Sequence, residues 1–544
     1  MASPVGNENI VEKIQTDPAP TPPTPRGVRF WGIFACLCVL SFISALDVAV
    51  ITTALPSVVA EIGGATLYIW IANVFVVTSC VLQPLFGQLA DVTGRRLPLL
   101  GSVVLFMIGS GISGGSLNPG MLIVGRAIQG AGAGGINVLI DIVCCDLVPM
   151  RERGKYLGLM FSGAGVAAAL GPPVGGGLAQ SNWRWIFYMN LPICGAVLLA
   201  LVVFMRTQTG GESNPKLLSN FSRLDYLGNL IFIPSMISLL WGVVMGGGEL
   251  PWSSWRIILP LVLGFLGWIA FHFQQTFFAK YPSVPTRLFA NRTSAIAFIL
   301  TFTSAIILQS VTYFLPIYFQ AIKGTTILQS GTYLLPFALP SLVFAVAGGT
   351  LLSKFGAYRP LHAMAFAIMA LALGLFTMLD EASPKAVWVV FELVASAGIG
   401  LIMPVLLPAI MAGLPEGDVA SSSATYSFVR SFGFIWGVTL SGIIFNKVFD
   451  NSLSDISDNS IYPLLENGAA YAFASQIHKL HRDSEFSPQT LYQIVQTFTK
   501  SLHAIWYFCI GIALLSFLLV GAEKGLKLRE ELDTEYGLKE RVEN

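Results

Sequence analysis

Charged residues are scarce in this chain of 544 residues. Asp, Glu, Lys and Arg together make up 11% of it, whereas soluble domains carry about 25%. Hydrophobic residues make up 54%, and the mean hydropathy is +0.70. Because so few charges cannot cover a surface in water, the chain is predicted to lie in a lipid bilayer. The formal net charge of +1 gives no support to a nucleic-acid partner.

Several catalytic patterns are absent from the sequence. There is no phosphate-binding loop of the form G-x-x-x-x-G-K-[ST], since Gly154 and Lys155 are followed by Tyr156. The five histidines form no H-E-x-x-H motif, which argues against a membrane metal enzyme. The seven cysteines lie in or beside apolar runs and are interpreted as small buried residues. We therefore expect no enzymatic activity, no cofactor and no metal.

What the sequence does contain is a series of apolar runs long enough to cross about 30 Å of hydrocarbon. They predict an all-α integral membrane protein with fourteen spans, at 30–54, 68–90, 97–116, 120–147, 156–180, 185–205, 225–247, 256–278, 294–320, 327–353, 359–379, 386–413, 423–449 and 501–521. The pair at 225–278 is more interrupted, so twelve or thirteen spans is the alternative.

Lys and Arg concentrate in alternate loops between these spans. Only four lie in the short loops on the opposite side, namely Arg184, Arg256, Lys323 and Lys385. The positive-inside rule then predicts that both termini are cytosolic. The plasma membrane is the expected location, with the vacuolar membrane as the alternative. The polar, proline-rich segment 1–28 is predicted to be a disordered tail and not a signal peptide.

A short motif occurs twice. GQLADVTGRRLP, from Gly87, is echoed by GTLLSKFGAYRP, from Gly349. A repeat at about half the chain length predicts two related bundles of six helices, the architecture of many secondary transporters. The predicted units are a tail at 1–28, a first bundle at 29–206, a linker with spans 7 and 8 at 207–292, a second bundle at 293–521 with an outer loop at 450–500, and a tail at 522–544.

The first copy of the motif predicts a contact between helices. Gly87 would let two helices approach closely, and Gly94 would permit a tight reversal. Asp91 would accept hydrogen bonds from the start of a neighbouring helix, or pair with Arg95. The alternative is that the arginines only anchor the topology. The predicted conformational gate consists of Gly87, Asp91, Gly94, Arg95, Arg96 and Arg153.

The fifth span is rich in glycine and proline. Glycines give a smooth face for close helix packing, and prolines remove backbone donors and bend a helix. The predicted packing seam consists of Gly165, Gly171, Pro172, Pro173, Gly175 and Gly176. From the spacing of these residues alone, the segment is interpreted as a helix-packing motif.

Several segments resemble one known family. GQLADVTGRRLP resembles the signature of the loop between spans 2 and 3 in the major facilitator superfamily. The segments similar to its drug-exporting branch with fourteen spans are Leu46–Pro56, Leu122–Gly135 and Gly165–Pro192, and Leu139–Gly158 resembles fungal members. The resemblance extends over nearly all of residues 30–521. It implies two six-helix bundles with two extra linker helices, a cavity lined by spans 1, 4, 9 and 12, and an antiporter motif in span 5.

Five charged residues lie within or near the ends of spans: Asp47, Arg126, Asp141, Glu392 and Arg430. Placing one charged side chain at the centre of a membrane-spanning helix costs at least about 2.5–3.5 kcal/mol of free energy, so a functional role is the default interpretation. Asp47 and Arg126 lie at similar depth, roughly 9 Å below the outer edge. They would meet if spans 1 and 4 are neighbours, as the resemblance implies.

The candidates for proton coupling or substrate contact are Asp47, Arg126, Glu392 and Asp141. The alternatives are a structural ion pair between Asp47 and Arg126, a capping role for Asp47, and exposure of Glu392 at the outer interface. Gln129, Asn137, Gln309 and Tyr313 are candidates to line the cavity, and the alternative is that they bond helix to helix.

The sequence and the resemblance together predict a secondary transporter that exports small amphipathic compounds, such as drugs, toxins or secondary metabolites. Alternating access and proton antiport are expected, with Asp47 or Glu392 taking a proton from outside. The alternatives are a carrier of iron chelates or of vacuolar basic amino acids, and a membrane sensor without transport. The expected partners are a small organic substrate, protons and the lipid bilayer, with no nucleic acid, and the chain is expected to be a monomer.

Overall fold

The computed structural model describes residues 27–63, 68–205, 221–247, 250–458, 461–465, 470–474, 476–478 and 487–530. The helices of the first half are α1 (Val28–Ile62), α2 (Tyr68–Val81), α3 (Gln83–Thr93), α4 (Arg96–Gly114), α5 (Pro119–Leu147), α6 (Met150–Ser181), α7 (Trp185–Tyr188) and α8 (Asn190–Phe204). Two helices follow, α9 (Tyr226–Met245) and α10 (Trp255–Phe277).

The helices of the second half are α11 (Arg292–Ile317), α12 (Ile327–Tyr333), α13 (Leu335–Phe355), α14 (Arg359–Phe376), α15 (Lys385–Met411), α16 (Val419–Asn451), α17 (Tyr462–Leu465), α18 (Ala470–Phe473) and α19 (Pro488–Val520). Single turns of other helix types lie at Thr286–Phe289, Tyr318–Ile322, Glu416–Asp418 and Leu453–Asp455.

The count of membrane spans depends on three helices of the first half, α2, α3 and α6. Within the described residues, 12 helices are long and apolar enough to cross a membrane, or 13 if the bent pair Asn73–Val81 and Gln83–Thr93 forms one span. The predicted fifth span, 156–180, lies in α6, which has 32 residues but is rich in glycine and proline and is not among the 12. Fourteen spans therefore stays a prediction.

Polar residues at helix starts explain where several helices begin. The side chain of Asn118 accepts a hydrogen bond from the backbone N–H of Met121 at 2.9 Å, at the start of α5. Thr326 and Gln329 form a capping box at the start of α12. The side chain of Ser487 accepts from the backbone N–H of Thr490 at 3.1 Å at the start of α19, and a proline follows both Asn118 and Ser487. These side chains satisfy backbone donors that have no partner in the first turn of a helix.

The helices pack as two bundles with a seam between them. In the first bundle α1 packs on α6, and α5 packs on α2 and α4. In the second bundle α15 packs on α13 and α14, and α11 packs on α16. Across the seam, α6 packs on α13 and α15, while α16 packs on α3 and α5. The seam thus has two sides. On one side α6 of the first bundle packs on two helices of the second, and on the other side α16 of the second bundle packs on two helices of the first.

The linker helices α9 and α10 pack on each other, and α9 contacts both bundles, through α2 and α16. A separate apolar cluster joins them to Val77 of α2 and Ile435 of α16. Polar contacts fix their other end. The backbone N–H of Asp225 donates to the side chain of Gln88 at 3.2 Å, and Gln88 in turn donates to the carbonyl of Tyr281 at 2.9 Å. Gln88 belongs to the first copy of the repeated motif, so the linker is tied directly to that motif.

The predicted outer loop at 450–500 is shorter than expected. Helix α16 continues to Asn451, and α19 begins at Pro488, so residues 488–500 are helical. The hydrophobic run that predicted the last span therefore underestimated this helix, because its first turns carry polar residues. Positions 459–460, 466–469, 475 and 479–486 of the predicted loop lie outside the described residues.

Candidate functional site

A buried ion pair joins α1 to α5 inside the first bundle. Arg126 donates a hydrogen bond to a carboxylate oxygen of Asp47, and another to Gln129 at 2.8 Å. The other oxygen of Asp47 accepts from Gln129 at 2.7 Å and from Asn190 at 3.1 Å. The side chains of Asp47 and Arg126 are 0% and 1% exposed. The predicted meeting of these two residues is confirmed, and both oxygens of the carboxylate have partners.

This network also shows why a charge is tolerated at this depth. The guanidinium carbon of Arg126 lies 4.2 Å from the centre of the Phe75 ring, so an aromatic face covers the cation. A buried ion pair needs hydrogen bonds to its remaining polar atoms. Gln129 and Asn190 supply them to Asp47, whereas the Nε of Arg126 has no partner among the described residues. Gln129, a predicted cavity residue, is fully buried in this network and bonds helix to helix.

Cations of both bundles meet at one end of the molecule, which we call the basic end. There α3 ends, α6 begins and α16 begins. Arg153 of the first bundle is 0% exposed and forms an ion pair with Glu416 of the second. It also donates to the carbonyls of Cys145 at 3.0 Å and Val148 at 3.1 Å. Glu416 also pairs with Arg529 at 3.2 Å. The predicted gate residue Arg153 therefore does lie between the bundles.

The first copy of the repeated motif lies in the same seam. A Cβ atom on Gly87 would overlap Ala424 of α16 and lie 3.3 Å from the carbonyl oxygen of Ala420. The predicted close approach at Gly87 is confirmed, and it occurs between the two bundles. Gly94 has φ +82°, a conformation that favours glycine, as the predicted reversal requires.

The acidic residue of this motif makes both of the contacts that the sequence left open. Asp91 accepts from Arg95 at 3.2 Å, and from the hydroxyl of Ser421 near the start of α16 at 3.3 Å. Arg95 also donates to Asp146 at 2.7 Å, within the first bundle. Arg96 instead donates to the carbonyl of Val202 in α8 at 3.0 Å, which is a contact within the first bundle.

The second copy of the motif forms the equivalent contact on the other side of the seam. A Cβ atom on Gly349 of α13 would overlap the backbone of Gly154 at the start of α6. Arg151 donates to the carbonyls of Ser353 at 2.8 Å and Lys354 at 3.0 Å, beside the end of α13. Each copy thus places a glycine at the basic end against a helix of the opposite bundle.

The glycine- and proline-rich helix α6 divides its contacts between the bundles. A Cβ atom on Gly165 would overlap Leu342 of α13, across the seam, whereas one on Gly171 would overlap Ala49 of α1, in the same bundle. Gly175 is buried, but a Cβ on Gly176 would meet no atom within 4 Å. The helix is continuous through Pro172 and Pro173, the side chain of Pro173 is exposed, and that of Pro172 lies outside the description.

A second ion pair lies between the bundles, farther from the basic end. Asp141 of α5 accepts from the hydroxyl of Ser427 at 2.8 Å, and Arg430 of α16 lies 3.6 Å from the same carboxylate oxygen. The Arg430 guanidinium carbon lies 5.1 Å from the centre of the Phe161 ring and 4.9 Å from that of Tyr426. Asp141 is 1% exposed and Arg430 is 11% exposed. This pair lies directly between the helices that part if the seam opens.

The sequence identified Asp141 and Arg430 as charged residues of the spans, but it did not predict that they contact each other. It also missed the seam face of α16, on which Ala420, Ala424, Ser427 and Ser431 recur at helical spacing. Ser431 accepts from Gln83 of α3 at 3.1 Å. A stripe of small residues at this spacing indicates close helix packing, so the pattern could have predicted the seam but not its partner.

Glu392 of α15 is buried, and exposure at the outer interface is therefore wrong. Its side chain is 0% exposed, and neither carboxylate oxygen has a hydrogen-bond partner within the described part of the chain. One turn earlier, the Trp388 ring lies 4.9 Å from those of Phe319 and Tyr333. A buried carboxylate without a hydrogen-bond partner fits a site for a proton or a cation.

The structure does not bring the remaining cavity candidates together. Asn137 accepts from the hydroxyl of Ser44 at 3.3 Å, a contact between α5 and α1. Gln309 is partly buried on α11, and Tyr313 is 43% exposed on the same helix. Among the residues that the structure describes, no group of three or more His, Cys, Asp or Glu side chains could hold a metal ion.

Comparison with known proteins gives consistent matches over nearly the whole chain. The family model described as Major Facilitator Superfamily matches residues 37–438. The "MFS efflux transporter aclA" of Aspergillus oryzae is 42% identical over 517 residues, which cover 94% of this chain and 92% of that protein. The "MFS-type transporter gkaD" of Penicillium citrinum is 43% identical over 541 residues, covering 99% of this chain and 91% of that protein.

A solved structure agrees in fold. The human organic anion transporter MFSD10 (TETRAN) superposes with a TM-score of 0.55 at 15% identity, covering 91% of this chain and 100% of that one. At this level of identity the match concerns the arrangement of helices alone.

Proposed function

This chain belongs to the Major Facilitator Superfamily, and we propose on that premise that it exports small amphipathic organic compounds by proton antiport with alternating access. It is an integral membrane protein, and its proposed place is the plasma membrane with both termini in the cytosol. The names of its fungal relatives, which include an efflux transporter, support export. The protein is proposed to act as a monomer.

The observation that carries the proposal is the seam at the basic end. Arg153 and Glu416 form an ion pair from one bundle to the other, and Gly87 and Gly349 allow backbones of opposite bundles to touch. Contacts of this kind hold one face shut and must break when that face opens. If the basic end is cytosolic, as the charge distribution predicts, the structure corresponds to a state closed toward the cytosol.

Of the candidate carboxylates, Asp141 is the best placed to connect a proton to this movement. It lies between the bundles and faces Arg430 of the other bundle at 3.6 Å. A proton on Asp141 removes the attraction between these charges and so weakens the closed seam. Asp47, in contrast, is enclosed within the first bundle by Arg126, so its protonation acts on a contact that does not span the seam.

The proposed cycle uses this difference. A proton that enters from the outside binds Asp141, the seam at the basic end opens, and a compound enters from the cytosol. Release of the proton to the cytosol restores the ion pair with Arg430, the basic end closes, and the compound leaves on the opposite side. One proton therefore moves inward for each passage, and Glu392, buried without a hydrogen-bond partner among the described residues, is a second candidate to carry a proton.

Transport by the purified protein in sealed vesicles tests the proposal. With an imposed pH gradient, efflux of a fluorescent amphiphile is expected from vesicles with the parent chain, and Asp141→Asn should abolish its dependence on the gradient. The matched control is Asp455→Asn, because Asp455 is 63% exposed and pairs only loosely with Lys500 at 3.5 Å. Absence of gradient-driven flux with the parent chain would refute export. Retained pH dependence in Asp141→Asn would refute the role of Asp141.

A further inference from the structure

Arg430 is weakly hydrogen-bonded compared with the other cations of the seam. Its closest contacts to polar side chains are 3.4 Å to the hydroxyl of Tyr426 and 3.6 Å to the carboxylate of Asp141. Arg95 and Arg153, in contrast, each donate several hydrogen bonds to groups at the basic end. A guanidinium has five N–H donors, so most of the hydrogen-bonding capacity of Arg430 is not used within the described part of the chain.

The position of Arg430 leaves part of it accessible. Residues 419–427 of α16 are buried in the closed seam, whereas residues 428–432 are only partly buried. Arg430 is the first charged residue of α16 beyond the closed segment, and 11% of its side chain is exposed. Phe161 of the first bundle and Tyr426 of its own helix lie beside the guanidinium. A guanidinium that lies over the faces of aromatic rings keeps the N–H groups at its edge free to bind an anion.

Asp141 occupies that edge only in the closed arrangement. Its oxygen is held by Ser427 at 2.8 Å, a shorter contact than the 3.6 Å to Arg430. Asp141 belongs to α5 and Arg430 to α16, so the two charges separate when the bundles part at the basic end. The buried cation then requires another counter-charge, because an unpaired charge at this depth is unfavourable.

We infer that Arg430 binds an anionic group of the exported compound, and that acidic amphiphiles are the substrate class of this protein. The inference rests on the proposed export. The substrate anion and Asp141 compete for one cation: the anion pairs with Arg430 when Asp141 has moved away, and ionised Asp141 displaces it when the basic end closes. The positive charge is therefore compensated in both states, and the neighbouring rings provide apolar contacts for the body of the compound.

Two fluorescent probes that differ by a single acidic group test this substrate class. They are 8-anilino-1-naphthalenesulfonate, which is an anion, and N-phenyl-1-naphthylamine, which is neutral. Binding is measured with the purified protein in nanodiscs, and gradient-driven efflux is measured in vesicles. The variants are Arg430→Gln, which removes the charge, and Arg430→Lys, which keeps the charge but not the fork of donors, and melting curves establish that each is folded.

The matched control is Arg184→Gln. Arg184 also lies over an aromatic ring, 4.6 Å from the centre of Trp183, and pairs with Glu61 at 3.2 Å, but far from the seam. We expect Arg430→Gln to weaken binding and efflux of the anionic probe by about 10- to 100-fold, with a change of less than about twofold for the neutral probe. The loss of anion binding and efflux in Arg430→Lys should be smaller than that in Arg430→Gln, and Arg184→Gln should behave like the parent chain.

Each other outcome has a defined meaning. Equal losses for both probes in Arg430→Gln would overturn the inference and leave export intact, since Arg430 would then only hold the seam. Binding of the anion that depends on Arg430, without any efflux, would support the anion site and refute export. Binding of the anion that does not depend on Arg430 would overturn the inference whether or not efflux is observed.

Discussion

The ion pair between Arg153 and Glu416 gives a quantitative prediction for the closed seam. In Glu416→Gln the side chain keeps its shape but loses the charge that faces Arg153 and Arg529. Arg153 retains the carbonyls of Cys145 and Val148 as acceptors, so it is not left without partners. The expected loss is that of one hydrogen bond between charged groups, about 1.5–3 kcal/mol.

This loss of free energy destabilises the closed state alone, because Arg153 and Glu416 meet only when the two bundles are together. The ratio of open to closed molecules should therefore rise by roughly 10- to 150-fold. A cysteine in place of Ser421 reports the opening, since Ser421 is 8% exposed and faces Asp91 across the seam. The rate of its alkylation in nanodiscs should rise by the same factor as long as the open fraction is small.

The control in the same Ser421→Cys background is Glu61→Gln. Glu61 pairs with Arg184 at 3.2 Å but is 55% exposed and lies away from the seam, and exposed ion pairs contribute about 0–1 kcal/mol. Mass spectrometry separates alkylation of the reporter from that of the native cysteines. An alkylation rate within about twofold of the parent, or an equal rise in the control, would show that this ion pair does not hold the basic end closed.

Two further predictions concern the buried pair and the glycine contact. Asp47→Asn should lower the stability by about 3–5 kcal/mol, because Arg126 loses its counter-charge in a fully buried position, and an unchanged melting temperature would contradict this reasoning. Gly87→Val should keep the basic end from closing, because its side chain would overlap Ala424, whereas Gly176→Ala should have no effect since nothing lies within 4 Å. The same alkylation assay distinguishes these variants, and equal rates for both would argue against a close contact at Gly87.

The sequence by itself determined the class of fold and one contact point of the seam, Gly87. Hydrophobicity is a property of each segment, so runs of apolar residues predicted the helices regardless of how they pack. The first copy of the repeated motif predicted a close contact at Gly87, because a glycine in a helix next to a tight reversal has a local signature. The similar depth of Asp47 and Arg126 could also be read from their distance to the ends of their spans, but their meeting was expected only because the family resemblance implies that spans 1 and 4 are neighbours.

Only the tertiary structure decided which buried charges lie between the bundles. Ser427 and Asp141 are 286 positions apart, and no local pattern brings their helices together. The short distance of Glu392 from a span end gave no information about its neighbours, yet the packing of α15 buries it completely. Burial and pairing depend on which faces of distant helices meet, and that is set by side-chain packing across the whole molecule, whereas apolar length and glycine spacing are properties of each segment alone.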